Sequence, residues 1–208
     1  MKLTPVSLAV EGVLDEAVLR HLLSQSGRQF TVGACYGKRG KDYLRQNVTR
    51  FNYAAAHKPF IILTDLDEED CPPGLLSRWL PQGHHANLVL RIAVREVESW
   101  LLADRDHLAE FMGIAGADIP QWPDGQHDPK ALLIDLARRS RRRDIREDLV
   151  PVPGSTSKVG RNYVGRLIQF VRSAWRVDNA ARQRSASLDR AIKALQAFMP
   201  AFPGDARS

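Results

Sequence analysis

Three apolar runs in this 208-residue chain end in acid, and that pattern limits what the chain can fold into. "SLAV" runs into Glu11, "FIILT" into Asp65 and Asp67, and "NLVLRIAV" into Glu96 and Glu98. Burying a carboxylate is costly, so each acid belongs where an element leaves the core. Stretches with the 3.6-residue period separate the runs. Buried strands alternating with helices form βαβ units and a mostly parallel sheet.

The sequence predicts strands over 6–10, 29–37, 59–65 and 87–94, with helices over 14–26, 41–56, 72–80 and 96–112. "PFIILTD" is continuously apolar, as a strand covered on both faces must be. Beyond Gly113 come a Pro/Gly/Asp-rich loop over 116–129, a helix over 130–143 capped by Asp128-Pro129, and a loop over 148–162. Two helices follow. One carries Val164, Leu167, Ile168, Val171 and Trp175, and the last spans about 187–199. The expected plan is an α/β domain over 1–114, Rossmann-like in type, with a basic helical region over 115–208 packed on it.

In open parallel sheets, ligands bind beyond the carboxyl ends of the strands. Glu11, Asp65, Asp67 and either Glu96 or Glu98 would meet on that rim, with Glu98 favoured. Asp15, four residues after Glu11, is carried back to the rim by a helix beginning near Gly12. Clustered carboxylates are tolerated around a cation, and an all-oxygen donor set suits Mg²⁺ or Mn²⁺. The competing reading makes these acids helix-start and turn residues. Glu68, Glu69 and Asp70 read as a solvated turn, Asp104 as a surface cap, and His84-His85 as loop.

"VEGVLDEAVLRHLL" with "ILTDLD" resembles the two acidic motifs of the TOPRIM domain, shared by primases, topoisomerases, recombination proteins and the overcoming-lysogenization-defect nucleases. "RIAVREVESWLLAD" is similar to a family of small bacterial TOPRIM-like proteins, some linked to phage defence. The resemblance implies a TOPRIM sheet with Glu11 as the catalytic or metal-binding acid. Asp65 and Asp67 would be metal ligands, and Asp15 would match an additional acid of the nuclease group. It also implies a downstream lysine at the scissile phosphate, for which Lys158 in "GSTSKVGRN" is the candidate. The chain lacks the helicase, ATPase and zinc modules of larger relatives, so an ATPase encoded separately is an expected partner.

Charge points the same way. Net charge is +6, yet residues 138–190 hold 14 Lys/Arg against 5 Asp/Glu. Arg138, Arg139, Arg141, Arg142 and Arg143 form a run able to neutralise phosphates without reading sequence. Lys38, Arg39 and Lys41 in "GKRGK" are further phosphate candidates, although the Walker spacing is missing. Either set also reads as solvated surface. No apolar run reaches the roughly 20 residues of a membrane span. The N-terminus does not read as a signal peptide, and Cys35 and Cys71 match no metal spacing. The expectation is a cytoplasmic, metal-dependent nuclease. The alternatives are a catalytically weak module binding nucleic acid or an ATPase, and a nucleotide phosphohydrolase.

Overall fold

A computed structural model describes residues 3–202. Two compact units emerge: Met1–Ala93 together with Arg190–Ser208, and Val94–Asp189. Each is treated by itself.

The first unit is α/β. It runs β1 (Thr4–Val10), α1 (Val13–Gln25), β2 (Phe30–Gly37), α2 (Lys41–Ala54), β3 (Phe60–Asp65), α3 (Pro72–Trp79) and β4 (Leu88–Ala93). The four strands pair in parallel in the order β2-β1-β3-β4, a Rossmann-like arrangement with flanking helices. The apolar runs take the centre: Leu8, Ala9 and Val10 of β1 and Ile61, Ile62 and Leu63 of β3 are fully buried. Each large aliphatic side chain so buried contributes about 2 kcal/mol. Edge strand β2 instead alternates between exposed and half-buried positions along most of its length.

Strand order sets the position of the ligand crevice. From β1 the chain crosses to β2 on one side, then returns past β1 to lay down β3 and β4 on the other. Right-handed connections then put α1 on one face and α2 and α3 on the other. Helices α2 and α3 touch, as this requires. The order reverses between β1 and β3, and such a reversal opens a crevice at the carboxyl ends of the two strands. Pairing matches Val10 with Leu63, so one step further Glu11 falls opposite Thr64.

The loop after β2 closes over the end of β1. The Lys38 amide donates to the Val10 carbonyl at 2.9 Å, and the Gly40 amide to Glu11 O at 3.0 Å. Gly37 permits this approach: its φ is +95°, and a Cβ there would stand 2.0 Å from Val10 O. At the opposite edge, Asn87 exchanges two hydrogen bonds with the Ala201 backbone, at 2.7 and 2.9 Å, which ties the tail to the start of β4.

The second unit is helical: α4 (Val97–Ala103), α5 (Arg105–Met112), α6 (Pro129–Arg138), α7 (Arg143–Leu149), α8 (Tyr163–Ser173) and α9 (Asn179–Arg184), followed by the start of α10 (Ala186–Ala197). Its core holds Trp100, Phe170 and Trp175 with Leu101, Leu133 and Leu167. The units divide after Ala93, not near residue 114. Helix α4 is buried along its whole length and packs with α5, α6 and α9, so it belongs with them.

Two helices expected as continuous are broken. The helix over 96–112 divides at Asp104, which is 4% exposed rather than a surface cap. It accepts the Arg176 amide at 2.6 Å and His107 Nδ1 at 2.7 Å. The helix over 130–143 ends at Arg138, because the Ser140 hydroxyl turns the chain by donating to Met112 O and accepting the Arg142 amide. Asp128 caps α6 as expected, accepting from the Ala131 amide at 2.7 Å.

Candidate functional site

The carboxyl ends of β1 and β3 lead into acid, Glu11 after β1 and Asp65 and Asp67 at the end of β3 and just beyond it. One Glu11 oxygen accepts from the Thr64 hydroxyl and from the Asp65 amide at 3.0 Å. Burial of Glu11 raises its pKa above the ordinary value. The two hydrogen bonds oppose that shift, and the charges of Asp15 and Asp67 add to it. Asp15 is 6% exposed and accepts the Gly12 amide at 2.7 Å. Its single turn of helix carries it back beside Glu11, as its spacing implies. Glu11 thus lies in the field of the Asp15 and Asp67 charges, and its carboxylate is bonded to the backbone of Asp65.

Lys41 corrects one sequence reading. Its ammonium does not face outward for a phosphate. All three donors turn inward, to Asp65 O at 2.8 Å, Leu66 O at 3.0 Å and the Asp67 carboxylate at 2.8 Å. The first turn of α2 therefore holds the loop after β3, in which Asp67 adopts φ +51°. An Asp tolerates that conformation better than most residues, but at a cost. Lys38 likewise pairs with Glu16 at 2.8 Å, and Arg39 lies over the Tyr43 ring.

The third acidic place lies in the second unit. Glu96 precedes α4 in extended conformation, so both it and Glu98 reach Lys130, although two residues apart on a helix they would diverge. Glu96 accepts the Lys130 amide at 3.1 Å and its ammonium at 2.5 Å. Glu98, 2% exposed, accepts the Tyr163 hydroxyl at 3.0 Å. Burial pushes the Glu98 carboxyl up to about 7, against the pull of Lys130 and with Glu96 adding to the rise. The same burial raises the Tyr163 hydroxyl. Within its own unit Glu98 is thus engaged by Tyr163 and Lys130.

The basic run is extensively paired within its own unit. Arg138 bonds Asp135, Arg142 bonds Asp144, Arg143 bonds Glu147, and Arg139 stands 3.9 Å from Asp118. The Arg141 amide donates to Gly113 O. These pairs are exposed and weak, so the guanidinium groups still present positive charge. Lys158 lies on an exposed loop of the same unit.

Thr64, Lys130 and Tyr163 were not anticipated. Thr64 directly precedes the Asp-Leu-Asp motif, and strand register alone would have found it. Lys130 and Tyr163 come from distant segments and left no local signal.

The donor set at the crevice fits a hard divalent cation in kind: oxygen only, with repulsion between carboxylates that a cation would relieve. Among the described residues, no three His, Cys, Asp or Glu side chains stand ready-made around such an ion. No helix among them is long and apolar enough to cross a membrane. The first unit is a parallel α/β sheet with flanking helices, carrying acids at the carboxyl ends of its two central strands. Compared with known proteins, the chain matches no family model, no curated protein and no solved structure.

Proposed function

We propose that the chain is a phosphodiester-cleaving enzyme acting on nucleic acid and dependent on Mg²⁺ or Mn²⁺. The observation that carries this reading is the partly buried Glu11, fixed by Thr64 and the Asp65 amide in the field of Asp15 and Asp67, at the crevice between β1 and β3. Glu11, Asp15, Asp65 and Asp67 would hold the cation, which when bound would polarise the phosphate and activate water. Glu11, its proton affinity raised by burial, accepts the proton of the attacking water or orients it. Thr64 and the Asp65 amide keep that carboxylate in one orientation. Lys41 sets the backbone of the loop that presents Asp65 and Asp67. The excess of cations over residues 138–190 attracts the phosphate backbone without regard to sequence. Nucleic acid is the partner in this reading. A separately encoded ATPase and a role in phage defence follow from the TOPRIM resemblance.

One observation favours a second reading, a binding module with weak or no catalysis. Lys41 already supplies positive charge to Asp67. A nuclease assay on single-stranded, duplex and RNA substrates, with mononucleotides alongside, separates the readings. Wild type should cleave with Mg²⁺ or Mn²⁺ and not with EDTA, and Glu11→Ala or Asp65→Ala should lose at least about a hundredfold in rate. Cleavage that persists in both variants would falsify the enzyme reading. Binding without cleavage in wild type would select the module, and hydrolysis of mononucleotides alone a phosphohydrolase.

A further inference from the structure

The second unit has an open cavity of about 390 Å³ beside the ends of α6 and α7. Val150, Pro151, Val152 and Pro153 supply its apolar lining, with Val152 66% exposed. Around them stand Arg138, Arg146 and Arg161, with Glu147 the one acid in the lining.

Two properties select a ligand. First, residues 135–166 carry nine Lys/Arg against four Asp/Glu, so the surroundings favour an anion. Arg161 is 71% exposed and reaches Glu147 and Asp148 only at 3.7 and 3.8 Å. The partner of Arg138, Asp135, is itself 57% exposed. The Arg161 pairs are long and the Arg138 pair, though close at 2.5 Å, is exposed; both can exchange for a phosphate, which accepts two guanidinium hydrogen bonds at once. Arg146 is held differently, donating to Ser140 O, and forms a fixed wall. Second, an inorganic anion would leave the Val-Pro surface uncovered. The occupant needs a flat apolar body as well as a phosphate.

We infer that this cavity takes a nucleotide, with its base against Val150–Pro153 and its phosphate between Arg138 and Arg161. Bases lie on apolar side chains and guanidinium planes whatever their sequence. A paired base in a duplex has no free face to offer, so the nucleotide is free or belongs to a single strand. Resting on the proposed function, the inference names the substrate class: single-stranded nucleic acid.

The test measures binding, not cleavage. The full chain is titrated in EDTA at low salt with a fluorescent single strand, a hairpin duplex of the same composition, and AMP as competitor. The single strand should bind more tightly than the duplex. Arg161→Glu should weaken single-strand binding about tenfold. Arg172→Glu, the same charge change at an exposed position away from the cavity, should stay within about twofold. Val152→Asn should weaken the single strand and spare the duplex. Displacement by AMP identifies the free nucleotide as sufficient, whereas strand binding that resists AMP identifies the polymer. Equal losses from Arg161→Glu and Arg172→Glu, or equal affinity for duplex and single strand, would overturn the assignment. Binding is read in EDTA, where metal-dependent cleavage does not run, so failure of the cleavage reading and failure of this one are told apart.

Discussion

Replacing Glu98 by Gln should make the protein more stable above neutral pH and change little near pH 5. Glu98 is 2% exposed, and burial raises its carboxyl from the ordinary 4.5 to about 7. Between those values the folded protein holds a proton that the unfolded chain has released. Stability is therefore fully present below about pH 4.5 and falls by about 1.4 kcal/mol for each pH unit up to about 7. Over that span the loss is about 3 kcal/mol, after which stability levels off. Gln keeps an oxygen for the Tyr163 hydroxyl, which bonds Glu98 at 3.0 Å, and carries no charge to bury. Lys130 keeps Glu96, its closer partner. Urea unfolding of both proteins at pH 5, 6, 7 and 8 supplies the comparison, followed by tryptophan emission from the buried Trp100 and Trp175. The two should differ by less than about 1 kcal/mol at pH 5 and by about 3 kcal/mol in favour of Glu98→Gln at pH 8. Parallel curves across the range would refute the reasoning, because Glu98 would then titrate alike folded and unfolded.

Two further perturbations probe the crevice. Lys41→Met removes the donor shared by Asp65 O, Leu66 O and Asp67, and should cost about 2 kcal/mol in thermal unfolding. It should also speed amide hydrogen exchange over residues 66–69, and Lys41→Arg should restore part of the protection. Gly37→Ala should cost roughly 4 kcal/mol or more, since the new Cβ falls 2.0 Å from Val10 O at φ +95°. Gly27→Ala, also at positive φ but with open space around it, should cost about 1 kcal/mol, as circular dichroism melts of the pair would report.

The parallel sheet was legible because its signal is local. Continuous apolar runs such as Ile61–Leu63 cannot be stable except under cover on both faces, and the helical periods between them dictate crossovers. The place of Glu11, Asp65 and Asp67 was legible for the same reason: an acid next to such a run has only the strand end to occupy. The breaks at Asp104 and Ser140 were hidden. Both residues turn the chain through bonds to distant backbone, the Arg176 amide and Met112 O, and no helical period records those partners.

Sequence by itself determined an alternating α/β unit, its buried strands and the acids at their ends, because hydrophobic periodicity and the cost of burying charge act on neighbours along the chain. Tertiary structure alone decided the strand order β2-β1-β3-β4, and hence that Glu11 lies opposite Thr64 in the crevice. It also decided that Lys41 faces inward and that Glu98 belongs to Tyr163 and Lys130. Those pairings join residues tens of positions apart. Their energies depend on distance in space and on exclusion of water, neither of which a linear pattern carries.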